Sequence, residues 1–283
     1  MKRLLVPCDF SEPAINAYRF ALDIAAKSNG TVFVLHVAEL PILYDTTLMP
    51  ALNFEIEALQ DLMKKAERDF DAMHKKIKSE GVKVIFKSEF GLVHQMIEHY
   101  TKKHDIDLIV MGSHGASGLR ETFIGSNAER VVRWSPVPTF VLKDFYKAPI
   151  KNIVFPNTLD VDQQEDLMMK VKELQNFFQA TLHVVWVNTP SNFASDLATN
   201  QRLTNFAKRF MLKDYTLNIF NHHNKETGII EFSNYIKADL IAMGTHGRTG
   251  IAHLANGSIA EDVVNHHTGL VWTYSLIREK IEA

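Results

Sequence analysis

Short runs of branched apolar residues recur along the first half of the chain, and longer stretches with apolar residues at helical spacing separate them. The runs show no polar alternation, which is typical of parallel strands covered by helices on both faces. They predict strands at Arg3–Pro7, Thr31–Val37, Val82–Lys87, Leu108–Met111 and Thr139–Leu142.

The stretches between these runs carry helix signals. Ser11 stands where a helix N-cap is expected, and Pro13 falls in the first turn after it. From about residue 54 to residue 79, apolar side chains recur every three or four positions. Alternating strands and helices predict an open, doubly wound α/β sheet with right-handed crossovers. Ligands of such sheets bind at the carboxyl ends of the strands.

The strand sequences occur twice, in the same order. Arg3-Leu-Leu-Val-Pro7 matches Asn152-Ile-Val-Phe-Pro156, and Thr31-Val-Phe-Val-Leu-His-Val37 matches Thr181-Leu-His-Val-Val-Trp-Val187. The fourth strands match as Asp107-Leu-Ile-Val-Met-Gly112 and Asp239-Leu-Ile-Ala-Met-Gly244. With Pro149 interrupting regular structure near the joint, the repeat predicts two domains, residues 1–146 and 147–283.

Composition narrows the class of protein. Hydrophobic residues make up 46% of the 283 residues, which suffices for packed cores. The 33 acidic and 31 basic residues nearly cancel, which argues against nucleic acid or an anionic membrane as a partner. A single cysteine, Cys8, excludes an intramolecular disulfide framework. With no apolar segment long enough to span a bilayer, we expect a cytoplasmic protein.

A glycine-rich segment follows the fourth strand in each copy. Gly112, Gly115 and Gly125-Ser126 in the first copy have the same spacing as Gly244, Gly247 and Gly257-Ser258 in the second. Glycine permits a positive φ and lets a ligand lie against the main chain. A capping serine and a helix N-terminus after such a loop predict a phosphate cradle. The alternative is that these are turn and capping residues with no ligand.

The segments differ from two common nucleotide motifs, since neither Gly-Lys-Ser/Thr nor a Gly-x-Gly after the first strand occurs. Both halves instead resemble the universal stress protein family, whose signature is Gly-x2-Gly-x9-Gly-Ser/Thr after Asp-Leu-Ile-Val-Met-Gly. The resemblance covers essentially the whole chain. It implies an adenine nucleotide α hydrolase-like fold, with two tandem five-stranded parallel sheets of strand order 3-2-1-4-5.

The resemblance also implies site residues. The adenine of a bound nucleotide is expected beside the end of the second strand, at Val37 and Val187. A Pro-x-Asp after the first strand is expected beside the ribose and phosphates, which designates Pro7 and Asp9. The second copy reads Pro156-Asn157-Thr158, with no acid two residues after the proline, and Pro156 and Asn157 are its expected site residues. Because an amide lacks the charge that Mg²⁺ prefers, we expect Asp9 to be the metal ligand and the first copy to be the better nucleotide site.

The resemblance thus predicts a stress-response protein that binds ATP, or AMP or ADP, with Mg²⁺, and acts through a change in conformation or assembly. No residue set supplies an evident base or nucleophile, so efficient turnover is not expected. Two alternatives remain open: a slow Mg²⁺-dependent ATPase that uses Asp9, and a stress scaffold that binds no nucleotide. His114 and His246, equivalent positions within the glycine segments, are interpreted as shaping their loops.

Members of the family commonly pair through their fifth strands. The resemblance therefore implies that Thr139–Leu142 and residues 270–274 meet within one chain. The expected result is an intrachain pseudo-dimer that covers both sheet edges. Further homodimerisation is also expected.

Overall fold

The computed structural model describes residues 1–39, 52–79, 81–115, 125–162, 164–245 and 259–276. The strands of the first half are β1 (Arg3–Pro7), β2 (Thr31–Ala38), β3 (Lys83–Phe90), β4 (Leu108–Gly112) and β5 (Thr139–Leu142). Its helices are α1 (Glu12–Ser28), α2 (Leu52–Lys76), α3 (Val93–Lys103) and α4 (Ser126–Trp134).

The second half repeats this order. Its strands are β6 (Asn152–Pro156), β7 (Thr181–Asn188), β8 (Tyr215–Asn221), β9 (Leu240–Thr245) and β10 (Leu270–Ser275). Its helices are α5 (Glu165–Phe178), α6 (Asp196–Arg209), α7 (Lys225–Tyr235) and α8 (Ile259–His266), with a short 3-10 turn at Pro190–Asn192. Among the described residues, no helix is both long and apolar enough to cross a bilayer.

The strands form one ten-stranded sheet in the order β3-β2-β1-β4-β5-β10-β9-β6-β7-β8. Within each half all pairings are parallel, and the order is 3-2-1-4-5, so the predicted fold class is confirmed. The halves join through an antiparallel pairing of β5 and β10, in which Trp272 lies opposite Phe140. The two predicted sheets are therefore the two halves of a single sheet.

Apolar side chains fill both faces of this sheet, because successive residues of a strand point to opposite sides. Leu4 and Val6 belong to one buried cluster, whereas Leu5 belongs to the cluster on the other face. Each cluster takes residues from both halves. Phe140 and Trp272, which face each other across the junction, are both fully buried, so the junction is a continuation of the core.

The aspartate before each fourth strand has a structural role. Asp107 Oδ2 accepts hydrogen bonds from the backbone N–H groups of Lys2 (2.7 Å) and Arg3 (2.9 Å) at the start of β1. Asp239 Oδ2 does the same for Lys151 (2.8 Å) and Asn152 (2.9 Å) at the start of β6. The acidic residue that opens the repeated motif thus aligns two adjacent strands at the amino edge, away from the glycine segments.

Candidate functional site

Three chain segments of the first half meet at the carboxyl edge of the sheet. The segment after β1 carries Asp9, and the segment after β4 carries Gly115, where a side-chain Cβ would overlap the Asp9 carboxylate at Oδ2. The third segment is the start of α4, because the Gly125 N–H donates to the Ser113 carbonyl over 2.7 Å. The structure therefore brings Asp9, Gly115 and Gly125 together, although the sequence separates the first two by more than a hundred residues.

The turn after β1 fixes the Asp9 carboxylate. Phe10 adopts a left-handed conformation with φ of 63°. Ser11 then donates to Asp9 Oδ1 from both its backbone N–H (3.1 Å) and its hydroxyl (2.6 Å). Ser11 occupies the N-cap position of α1 as predicted, but its side chain makes no cap hydrogen bond. The sequence signal for its actual role is its position two residues after an aspartate, the spacing of an Asx turn.

Helix α4 begins without a capping side chain, which corrects the prediction for Ser126. The N-cap residue is Gly125, with φ of −64° and ψ of 145°, and Ser126 is the first helical residue. The first backbone N–H groups of a helix have no acceptor within the helix, and a glycine N-cap offers none from a side chain. Together with the helix dipole, these amides favour an anion beside the exposed Ser126.

The glycines of the segments serve different purposes. A Cβ at Gly112 would lie 2.7 Å from Pro13 Cβ, and one at Gly244 would lie 2.7 Å from Leu167 Cδ2. These two glycines let β4 and β9 pack against the first turns of α1 and α5. The glycines at 112, 115, 125 and 244 have no positive φ, so a left-handed backbone does not explain glycine at these four positions. Close approach, rather than an unusual backbone conformation, accounts for glycine at positions 112, 115 and 244.

Two neighbours of the site, His114 and Cys8, are accounted for by local structure. His114 Nδ1 and the fully buried Ser113 Oγ lie 2.8 Å apart, as expected of a histidine that shapes its loop. Burial raises the pKa of the Cys8 thiol to about 12. This thiol therefore stays protonated at neutral pH and is a poor nucleophile.

The corresponding turn of the second half is cross-braced by neutral side chains. Asn157 Oδ1 accepts from the Leu159 N–H, and Asn157 Nδ2 donates to Gln164 Oε1, both over 2.7 Å. Gln164 in turn donates to the Asp160 carbonyl. Leu159 repeats the left-handed turn of Phe10, with φ of 59°. The backbone of the turn is thus the same in both halves, but Thr158 stands at the position of Asp9. The amide of Asn157, at the position of Cys8, is hydrogen-bonded within its own loop.

An arginine that the sequence did not single out braces the same turn. Arg202 of α6 donates from Nη2 to the Thr158 carbonyl over 2.9 Å. Its guanidinium carbon lies 4.8 Å from the centre of the Trp186 ring, a cation–π distance. No signal in the sequence links these residues, because α6 reaches the turn only through the packing of the helix layer.

The other predicted site residues fall as follows. Pro7 and Pro156 are the last residues of β1 and β6. Val37 is half-buried near the end of β2. Val187 is buried, and a Cβ at Gly228 of α7 would lie 2.7 Å from its Cγ1. Outside the described residues lie Gly247, Gly257, Ser258 and His246.

The side chains at the carboxyl edge of the sheet determine which metal ion they could bind. In the described parts of the chain, no three His, Cys, Asp or Glu side chains are grouped to hold an ion. Asp9 supplies one exposed carboxylate. This arrangement fits Mg²⁺, which is commonly bound by one or two carboxylates together with phosphate oxygens and water. It does not fit a metal held by protein side chains alone.

The chain is an α/β protein with strand order 3-2-1-4-5 in both halves, and it has the adenine nucleotide α hydrolase-like fold. The model of the universal stress protein family matches residues 1–143 and 219–273, one segment in each half of the sheet. The chain therefore belongs to the universal stress protein family.

Similar proteins include one-domain and full-length relatives. The universal stress protein MJ0577 of Methanocaldococcus jannaschii is 28% identical over 50% of this chain and 94% of its own length. Slr1230 of Synechocystis is 25% identical over 97% of this chain and 100% of its own. A universal stress protein from Archaeoglobus fulgidus has a similar fold over 97% of this chain and 98% of its own, with a TM-score of 0.68 and 20% identity. The full-length matches agree with a tandem member of the family.

Proposed function

We propose that the first half binds ATP or another adenine nucleotide at the carboxyl edge, and that binding acts in a stress response through conformation or assembly. One observation carries the proposal: Asp9, the main chain at Gly115 and the uncapped start of α4 meet at one exposed place. The amides suit phosphate oxygens, and the carboxylate suits a Mg²⁺ ion carried by those phosphates. The resemblance to the family motif supplies adenine as the expected base.

For the second half, the proposal is nucleotide binding that is weaker or independent of metal. Its turn has Thr158 in place of Asp9, and both ends of the neighbouring Asn157 amide are hydrogen-bonded within the loop. An amide provides no charge for Mg²⁺. The predicted ligands Gly244, Gly247, Gly257 and Ser258 belong to this part of the proposal.

The assembly part of the proposal concerns domains 1–146 and 147–283 acting as a pseudo-dimer within one chain. It is supported by the antiparallel register of β5 and β10. This pairing leaves β3 and β8 as the edges of the sheet among the described strands. Light scattering of the purified protein tests the expected further dimer, and a monomer at all concentrations would contradict it.

Gly125→Ala separates a ligand site from a purely structural turn. A Cβ at Gly125 would lie 3.4 Å from His114 Cα, and the residue has φ of −64°, so alanine fits with little strain. If phosphate lies against this position, the added methyl group is expected to weaken ATP binding by about tenfold, or roughly 1.4 kcal/mol. Ser126→Ala is the matched control: it keeps the backbone amides, so a smaller loss is expected.

Isothermal titration with ATP and mass spectrometry of nucleotide released on denaturation measure these effects. A bound nucleotide must also raise the melting temperature, since a ligand selective for the native state stabilises it. No heat and no stabilisation at millimolar ATP would refute the proposal in favour of the scaffold alternative. Phosphate release that disappears in Asp9→Asn would instead favour the slow ATPase.

A further inference from the structure

The carbonyl groups at the end of α4 receive hydrogen bonds from the other half of the chain. Thr245 Oγ1 at the end of β9 donates to the Val132 carbonyl, and Ser275 Oγ at the end of β10 donates to the Arg133 carbonyl, each over 3.1 Å. The last carbonyls of a helix have no partner within it. Residues of the second half thus cap the C-terminus of a helix of the first half.

The local sequence explains why these carbonyls need outside donors. A continued helix would satisfy the Val132 carbonyl from residue 136, but Pro136 has no N–H. The Val137 N–H, next in line for the Arg133 carbonyl, donates to Ser135 Oγ over 3.2 Å. Thr245 is almost fully buried, so its hydroxyl lies in the core of the junction.

An ion pair fixes the same helix end laterally. Arg133 donates to both carboxylate oxygens of Glu261 on α8, over 2.8 Å from Nε and 2.6 Å from Nη2. It also donates to Glu129, one turn earlier on α4, over 2.9 Å. Glu261 is only 7% exposed, and these bonds raise the pKa of the Arg133 guanidinium. A bidentate arginine–carboxylate pair with a buried carboxylate holds a fixed geometry.

The second half has a reciprocal contact at the equivalent place. Lys143, directly after β5, donates from Nζ to the Asn265 carbonyl in the last turn of α8. Lys143 and Ser275 occupy equivalent positions after Leu142 and Tyr274 in the two copies. Each half therefore holds the terminal helix of the other, through an ammonium in one direction and hydroxyls in the other.

We propose that α4 couples anion binding in the first half to the strand ends β9 and β10 of the second half. This inference rests on the proposed function, because the phosphate group would lie at the start of α4. The helix has nine residues and a length of about 13 Å, too short to absorb a displacement by bending. A ligand that orders Gly125 and Ser126 therefore also orders the Val132 and Arg133 carbonyls and the hydroxyls bound to them. The coupling is mutual, as linkage requires.

The test uses full-length protein and hydrogen–deuterium exchange with and without saturating ATP. In the wild type, ATP is expected to slow exchange in α4 and, by about fivefold or more, in β9 and β10. Thr245→Val with Ser275→Ala removes both hydroxyls at almost unchanged volume. This variant is expected to keep the protection of α4 and to lose that of β9 and β10. Thr245→Ser is the matched control, because it keeps a hydroxyl and should behave as the wild type.

A second variant identifies where the effect originates. Gly125→Ala, which weakens binding in the first half, must shift the protection of β9 and β10 to higher ATP together with that of α4. If Gly125→Ala leaves the protection of β9 and β10 unchanged, that protection arises in the second half itself, and the coupling is overturned. Should the double variant fail to fold, Ser275→Ala alone must still reduce the protection of β10.

The outcomes separate the two proposals. If ATP protects α4 and the double variant still transmits full protection to β9 and β10, only the coupling is overturned. If ATP protects no part of α4 in the wild type, the nucleotide function fails, and the coupling fails with it.

Discussion

His267 makes the stability of the chain depend on pH. It lies between α8 and β10 and is only 6% exposed. A Cβ at Gly269 would come within 2.6 Å of its Nε2 atom, so the ring packs against that glycine. Burial, and to a smaller extent the charge of Lys143, lowers the pKa of His267 from 6.5 to about 4. A proton on this ring would be a buried charge beside an ammonium group.

The direction of the pH dependence follows from the protonation of His267 in the folded and unfolded states. As pH falls below 6.5, the unfolded chain binds a proton at His267, whereas the folded chain does so only near pH 4. The unfolded state binds more protons in this window, so stability decreases as pH decreases. At about 1.4 kcal/mol per pH unit of difference, the loss reaches about 2 kcal/mol at pH 5 and approaches about 3 kcal/mol near pH 4.

Urea unfolding followed by circular dichroism at pH 7, 6 and 5 measures this loss. His267→Gln removes the titrating group, so the difference in unfolding free energy between the two proteins isolates its contribution from those of all other groups. The variant is expected to lose about 2 kcal/mol less than the wild type between pH 7 and pH 5. Parallel pH profiles for the two proteins would refute the argument that the buried ring stays neutral.

Three further predictions concern the junction and the site. Arg133→Met leaves the Glu261 carboxylate buried without its guanidinium partner and should cost about 3 kcal/mol in urea unfolding, whereas Lys102→Met, at an exposed pair, should cost less than about 0.5 kcal/mol. Gly112→Ala forces a methyl group into α1 and should cost about 2 kcal/mol, and Gly125→Ala less than about 1 kcal/mol; equal costs would contradict the distinction between a packing glycine and a ligand-facing one. In titrations with ATP, removing Mg²⁺ with EDTA should raise the Kd of the wild type about tenfold. Asp9→Asn should abolish this dependence on Mg²⁺, and a dependence that persists in the variant would place the metal elsewhere.

Local sequence patterns were sufficient for the strands and for the repeat. The predicted strand Thr139–Leu142 has the same bounds as β5, and Arg3–Pro7 those of β1. Runs of branched residues without polar alternation indicate such strands, because burial on both faces imposes one composition on every position. The matching runs in the second half then predicted a second copy of the unit, whereas the strand order was implied by the family resemblance.

The position of the candidate site was predictable, and its details were less so. Asp9 and Gly115 were both named from the motif, and they do meet, because parallel strands end at a common edge. The N-cap was misplaced by one residue: helix ends depend on the backbone angles of Gly125, which its neighbours in sequence do not fix. Likewise, glycine at 112 is explained only by the position of Pro13 on another element.

By itself, the sequence determined a duplicated α/β unit with a glycine segment and a helix start at one edge of each sheet. Only the tertiary structure decided the antiparallel register in which β5 and β10 join the halves, the capping of α4 by Thr245 and Ser275, and the burial of Glu261 against Arg133. The physical reason is the distance along the chain over which each interaction acts. Periodicity and turn chemistry act over a few residues, whereas these contacts join groups more than a hundred residues apart, which only the packed sheet brings within hydrogen-bonding distance.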